Sequence, residues 1–377
     1  MMNYLFENQN ITKSLESYIK ENKSLHEHFE INFNRIKPKN RCGFLSIENE
    51  NYFIIPKISN KEEQNLNIFI YMLLKAYDIK ISNPDIANLQ NTNFKYLELF
   101  IRFFADSLLH ELKRGIYKTY ITREENLKVL RGKYLIEKNF QNFYHMNIYC
   151  EFDEFSTDNE LNKFFLYAIK IFKRYSSYSN LHKCDSVFDE VYYSHIDINR
   201  INFKFDRLNQ RFEKSYEIAM MILKKLSPLV NNSTQKSFAF LFDMSEVFEK
   251  FIGNLYKEID SSTLLQCERN FGNLKLKPDI KTETQIIDTK YKLVKNKDDL
   301  KTHDKYQMFT YGINFNIRDT ILLYPKHILD VDEDLRLGKD YNLVNLKIKS
   351  IDLKFEDDGY KEYTEEIKNR LEKMNEF

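Results

Sequence analysis

Tryptophan is absent from this 377-residue chain, which holds only eight glycines, six prolines and four cysteines. The cysteines, Cys42, Cys150, Cys184 and Cys267, lie far apart and form no CxxC pair. That excludes a zinc ribbon or a thioredoxin-like dithiol and leaves buried, reduced thiols as the expectation. Neither Gly-Lys-Ser nor Gly-Lys-Thr occurs, so the chain lacks the phosphate loop that nucleotide hydrolysis on a P-loop needs. No uninterrupted apolar run approaches the ~18 residues of a membrane helix. The N-terminus has no basic stretch followed by an apolar one, so no signal peptide is expected and the protein should be cytoplasmic. Net charge is missing too: 57 basic residues face 56 acidic ones. Overall charge therefore neither favours nor excludes a nucleic acid; only a local patch would.

The chain is long enough for two or three domains and, at 42% hydrophobic residues, for a sizeable core. Its aromatic content follows a general bias towards Phe, Tyr, Lys, Asn and Ile and carries no functional weight. His26 and His28 sit in a polar stretch that reads as surface. Residues 29–58 look strand-rich. Phe44–Ile47 and Tyr52–Ile55 flank the polar run Glu48–Asn51 as a hairpin, which Pro56 ends. Residues 66–77 suit a buried helix. Residues 96–113 are helical, with Leu97, Phe100, Ile101, Phe104, Leu108 and Leu112 as one stripe, closed by Gly115. A strand-like piece follows, then Arg131-Gly132-Lys133, which reads as a turn with two solvated cations. Residues 158–175, with Asp158 as N-cap, and 206–226 are two more helices. Pro228 and the run Asn231–Thr234 mark a boundary.

The chemistry lies beyond that boundary. Residues 243–259 form a helix with Asp243 as N-cap and Glu246 in capping-box position. At the helical period Glu249 falls at the border of the apolar stripe, and Glu246 on the opposite, solvated face. Two strands follow, 274–283 and 285–292, with Glu283 and Thr284 as a tight hairpin turn. Side chains alternate along a strand, so Asp288 and Lys290 project together while Thr289 points away. Asp279, on the neighbouring strand, can sit beside Asp288. Two carboxylates and an ammonium then meet on one sheet face. Such a group suits phosphodiester hydrolysis: a hard ion such as Mg²⁺ takes carboxylate oxygens and activates a water, while Lys290 meets the growing negative charge. A helix over 302–313 places Gln307 and Tyr311 on one face, where they can orient Lys290 or touch a phosphate. Read as helix, strand, strand with Asp279, strand with Asp288 and Lys290, and helix, the domain is completed by the buried strand Thr320–Pro325 to an αβββαβ order.

Several blocks together resemble the McrC subunits of the McrBC 5-methylcytosine restriction systems. They are Phe53–Ile58, Arg131-Gly132-Lys133, Cys150–Ser156 with Asp158-Asn159 and Leu161-Asn162, and Leu241–Met244 with Val247–Glu249. Lys277-Pro278-Asp279, Asp288–Lys292, Asp304–Met308 with Tyr311, and Leu323–Pro325 follow in similar order and spacing. The resemblance covers nearly the whole chain. It implies an α/β (α+β overall) protein with a strand-containing N-terminal domain over 1–145 that docks on a partner. A helical connector over 146–230 and a PD-(D/E)xK nuclease core over 231–377 would follow. It implies a Mg²⁺-dependent DNA-cutting subunit, with Glu249, Asp279, Asp288, Lys290, Gln307 and Tyr311 at the site and Asp279, Asp288 and Glu249 on the metal. The implied partners are a McrB-like AAA+ GTPase ring, which binds the GTP, and double-stranded, methylated DNA, with no membrane. Two other readings stay open at this point: a stand-alone RecB-like or type II-like nuclease, and a non-catalytic adaptor of a defence complex.

Overall fold

A computed structural model describes residues 2–7, 9–32, 35–47, 50–56, 58, 62–79, 95–142, 146–228, 237–292, 301–326, 331–355 and 359–375. Glu48, Asn49, Lys57 and the Asn231–Thr234 run lie outside them. No described helix is long and apolar enough to cross a membrane. The contacts form two compact units, one of residues 1–93 with 225–377 and one of 94–224.

The first unit holds two sheets. In the five-stranded one, Met2–Phe6 runs parallel to Glu50–Ile55, which pairs antiparallel with Arg41–Ile47. Phe238–Asp243 pairs antiparallel with Arg41–Ile47, from Phe238 opposite Ser46 to Asp243 opposite Arg41, and Leu226–Pro228 closes the edge. The run Phe-Ala-Phe-Leu-Phe has no polar face, and all five side chains are buried; such a strand needs cover on both sides. Gly43 admits it, because a Cβ there would stand 2.2 Å from the Phe240 carbonyl oxygen, and its φ of +137° suits glycine. The helix Glu62–Ala76 brings Phe69 against Phe53 (ring centroids 5.7 Å apart) and Phe242 (6.1 Å). His28, expected at the surface, is buried, with its ring beside Glu27.

The second sheet has six strands, in the order Leu264–Leu265, Ile280–Lys281, Gln285–Thr289, Asp319–Pro325, Val344–Ile351 and Asp332–Leu337. Gln285–Thr289, Asp319–Pro325 and Val344–Ile351 are parallel neighbours. The helix Thr302–Asn314 connects the first two and buries Met308 and Tyr311 with Ile286, Leu322 and Leu346. The C-terminal helix Tyr360–Asn375 presents Tyr363, Ile367 and Leu371, one turn apart and fully buried. Tyr363 stacks on Phe251 at 5.9 Å.

In the second unit, Thr119–Leu127 and Lys133–Tyr134 flank Ile148–Ser156 in a three-stranded sheet. The helix Lys95–Leu112 buries its predicted stripe, and Gly115 follows it with φ +109°. The helix expected over 158–175 spans Glu160–Phe172, and its cap is Asn159, not Asp158: Asn159 Oδ1 accepts from the Asn162 N–H at 3.1 Å. Asp158 instead accepts from the Tyr192 N–H. The stretch 206–226 becomes a 3-10 turn, Gln210–Phe212, and the helix Glu213–Lys225. Gly132 has φ +72°, and a Cβ there would stand 2.3 Å from the Glu151 carbonyl oxygen. The Arg131 guanidinium lies over the Phe152 ring, 4.0 Å from its centroid.

These pairings divide the chain at other places than the expected 145 and 230. Thr119–Leu127 and Ile148–Ser156 form one ladder across residue 145, and Phe238–Asp243 belongs to the sheet of the first 55 residues. The reason is common to both: a strand's unpaired amides are satisfied by whichever edge is open, however distant in sequence.

Candidate active site

The helix Met244–Ile259 starts on Asp243, whose side chain accepts from the Ser245 N–H at 2.9 Å. It buries Met244, Val247, Phe248, Phe251, Ile252, Leu255 and Tyr256. Glu249 lies half-buried at the border of that stripe, as the helical period predicts. Glu246 does not point to open solvent. It takes hydrogen bonds from Lys225 (2.6 Å), Lys250 (2.9 Å) and the Tyr77 hydroxyl (3.4 Å), because the helix Glu62–Ala76 packs on that side.

The expected strand 274–283 is broken at Pro278, which has no N–H to give to a ladder. Its first part, Leu274–Leu276, forms a separate hairpin with Arg269–Phe271, and only Ile280–Lys281 joins the sheet. The turn at Glu283-Thr284 forms as expected, with the Thr282 N–H donating to the Gln285 carbonyl at 3.0 Å. Asp279 therefore sits just before the start of a two-residue strand. From there its Oδ2 accepts from both the N–H (2.8 Å) and the hydroxyl (2.9 Å) of Thr289. Thr289 is thus not turned away from the site, since strict alternation lapses where the ladder ends.

Asp288 is 1% exposed. The Lys290 ammonium stands 2.5 Å from its Oδ2, and Gln307 Nε2 donates to its Oδ1 at 3.3 Å. Gln307 also accepts from the Lys290 ammonium at 3.3 Å and donates to the Tyr311 hydroxyl at 2.9 Å. Tyr311 in turn donates to the Lys277 carbonyl at 3.1 Å. The i, i+4 pair of the helix Thr302–Asn314 thereby grips both charged groups of the strand. Gln266 closes the other side. Its amide donates to Glu249 and, at 3.2 Å, to Asp279 Oδ1, and its backbone N–H donates to the Asp279 carbonyl at 2.8 Å. Lys292 and the buried Asp304 form a further ion pair. All six predicted site residues are joined in this way. Gln266 and Thr289 escaped the sequence reading: nothing marks a turn glutamine with φ +50° as a carboxylate holder.

Electrostatically the site is short of positive charge. Burial, then the charges of Asp279 and Asp288, push Glu249 up to about 7, against the weaker pull of Lys250 and Lys277. Burial and then Asp279 also raise Asp288, with Lys290 opposing. Burial alone would lower Lys290, but Asp288 and Asp279 outweigh it and raise the ammonium above its ordinary range. A hard divalent cation fits this donor chemistry, because it prefers carboxylate oxygens and needs only one or two of them beside its waters. The carboxylates do not form a closed cage, however. Among the described residues no group of three or more His, Cys, Asp or Glu is arranged to hold a metal.

Residues 36–325 match the family model described as McrBC 5-methylcytosine restriction system component. One similar solved structure is the refined half-complex from a tetradecameric assembly of Thermococcus gammatolerans McrB AAA+ hexamers with bound McrC. The likeness has a TM-score of 0.57 and 22% identity over 99% of this chain and 100% of that one, and it speaks to the fold. The cryo-EM structure of the Thermococcus gammatolerans McrBC complex gives a TM-score of 0.47 and 25% identity over 68% of this chain and 87% of that one. No curated protein matches the chain.

Proposed function

The chain belongs to the McrBC family of 5-methylcytosine restriction system components, and from that premise we propose that it is the DNA-cutting subunit of such a system. In this reading it hydrolyses phosphodiesters with Mg²⁺ and works with a McrB-like AAA+ GTPase ring, which binds the GTP and whose turnover it stimulates. The observation that carries the reading is the meeting of Glu249, Asp279, Asp288 and Lys290 from three elements, with Gln307 clasping Asp288 and Lys290. The helix Met244–Ile259, the strands Leu264–Leu265, Ile280–Lys281 and Gln285–Thr289, the helix Thr302–Asn314 and the strand Asp319–Pro325 serve as a PD-(D/E)xK nuclease core of αβββαβ order.

Asp279 and Asp288 would hold the metal, with Glu249 on a ligand position or on one of its waters. When bound, Mg²⁺ supplies a water of lowered pKa and neutralises the scissile phosphate. Gln266 and Thr289 fix the Asp279 carboxylate, and Gln266 also fixes Glu249. Lys290 donates to the phosphoryl oxygens as negative charge grows there, and Gln307 and Tyr311 keep its ammonium aimed. The substrate is double-stranded, methylated DNA. Docking on the ring is assigned to residues 1–145.

The test is cleavage of methylated and unmethylated duplex by the purified chain, with and without its co-encoded GTPase. Cutting is expected only with Mg²⁺, partner and GTP, and the Asp288→Asn variant should remove it while keeping GTPase stimulation. A variant that cuts at the normal rate refutes the site, and cutting that ignores the GTPase favours a stand-alone nuclease.

A further inference from the structure

Among the described residues the hairpin of Arg269–Phe271 and Leu274–Leu276 pairs only with itself. Its two-residue loop is Gly272-Asn273, and the φ of +59° at Gly272 suits a tight hairpin turn. The base is fixed. Phe271 packs edge-on against Phe315 at 5.0 Å, and the Tyr311 hydroxyl holds the Lys277 carbonyl at 3.1 Å. Both anchors belong to the helix that carries Gln307 or to its cap. The arm therefore leads, through Pro278, directly into Asp279.

Its charge is lopsided. Residues 268–277 contain one acid, Glu268, and three cations, Arg269, Lys275 and Lys277, in a chain whose charges otherwise nearly cancel. Glu268 neutralises Lys275 at 2.9 Å. Arg269 and Lys277 are exposed, and among the described residues neither is within ion-pair distance of a carboxylate. We infer that this hairpin is an arm that grips the DNA backbone beside the scissile phosphate, with Arg269 and Lys277 on phosphate oxygens. A two-stranded ribbon is of a size to lie along the major groove, and cations on its flank contact phosphates and set register without reading sequence. Lys277 is also tied to the site, two residues before Asp279 and with its carbonyl accepting from the Tyr311 hydroxyl at 3.1 Å. An acidic protein surface would meet the same cations but would bring no phosphodiester to Asp288. The inference rests on the reading of the chain as a DNA-cutting subunit.

The experiment uses the full chain assembled with its GTPase partner, cutting a methylated duplex over a range of salt. Arg269→Ala with Lys277→Ala should raise KM for DNA roughly tenfold and flatten its salt dependence by about two phosphate contacts. Arg269→Lys should recover part of the loss, and the thermal midpoint should stay at the parent value. If the parent cuts and the double variant keeps the parent KM and salt slope, the arm is not a DNA contact, while the nuclease reading stands. If the double variant loses GTPase stimulation, the arm belongs to the protein interface and the inference is overturned. If the parent complex does not cut at all, the nuclease reading falls, and the inference with it.

Discussion

The Lys290 ammonium lies 2.5 Å from Asp288 Oδ2, whereas among the described residues the hydrogen-bond partner of Glu249 is the Gln266 amide. Of the site's three carboxylates, Asp288 is thus charge-paired, although burial and Asp279 still raise it, while Glu249 is lifted towards neutrality. Lys290→Ala should lower cutting by roughly a hundredfold or more, the usual scale for losing one preorganised electrostatic group. Stimulation of the partner's GTP turnover should persist. DNA cleavage and GTP turnover measured on one preparation decide it: normal cutting, or joint loss of both, would make Lys290 a structural residue.

The raised Glu249 sets the sign of a metal effect. Its ordinary value is 4.5 and its folded value about 7. Folding therefore favours the protonated form, and holding the group ionised costs stability progressively as pH rises from 4.5 to 7. A bound divalent cation removes that cost. Mg²⁺ should raise the thermal midpoint more at pH ~8 than at pH ~5.5, since carboxylates bind metal only when deprotonated. The shift should shrink in Asp288→Asn. An equal shift at both pH values would mean the cation binds elsewhere.

Gln266 is the residue to remove next. Its amide serves both Glu249 and Asp279, and loss of such an outer partner typically weakens metal binding ~10–100-fold. Gln266→Ala should therefore raise the Mg²⁺ concentration needed for half-maximal cutting, with much less change in the rate at saturating metal. A fall in the saturated rate at unchanged Mg²⁺ demand would place Gln266 in the chemistry instead.

The residues of the site were legible because their constraints are local. The helical period puts Glu249 at the stripe's border, the strand period pairs Asp288 with Lys290, and an i, i+4 spacing joins Gln307 to Tyr311. What escaped depends on distant partners. Gln266 reaches its carboxylates from a turn, and Thr289 meets Asp279 only because Pro278 cuts a strand short. Glu246 looked solvated since nothing in its own helix announces that Lys225 and Tyr77 lie across from it. The strands Asp332–Leu337 and Val344–Ile351 and the C-terminal helix lay beyond the last motif and were not read. The buried strand Phe238–Asp243 was misallotted for the same reason: an apolar run declares that it is covered, not by which sheet.

Glu246 also makes a pH prediction of opposite sign. Burial would raise it, but Lys225 and Lys250 more than offset this and depress it to about 2 from an ordinary 4.5. Its pairs therefore stabilise the fold above pH 4.5, and that contribution is lost as pH falls towards 2. With more than a third of the side chain exposed, solvent screening leaves roughly 1 kcal/mol of it. Glu246→Gln should lower stability to urea by about that amount at neutral pH, and the gap from the parent should close in acid. A gap that is constant with pH would mean that packing, not charge, was lost.

The sheet register makes a stronger claim about the expected cutting fragment. Residues 231–377 alone would leave Phe238–Asp243 without Arg41–Ile47 on its flank, exposing a five-residue apolar strand. They would also lose Glu7, which accepts the Tyr291 hydroxyl at 2.6 Å immediately after Lys290. Tyr291 is buried, and removing a hydrogen-bond partner from a buried hydroxyl costs about 1–3 kcal/mol. An unpaired, flat, apolar strand edge is a template for aggregation. The fragment 231–377 should therefore be insoluble or molten when expressed alone, and co-expression with residues 1–93 should restore a cooperative unfolding transition. If 231–377 alone is monomeric, unfolds cooperatively and cuts DNA, the N-terminal strands are dispensable to the site, and the first unit is two domains in contact rather than one.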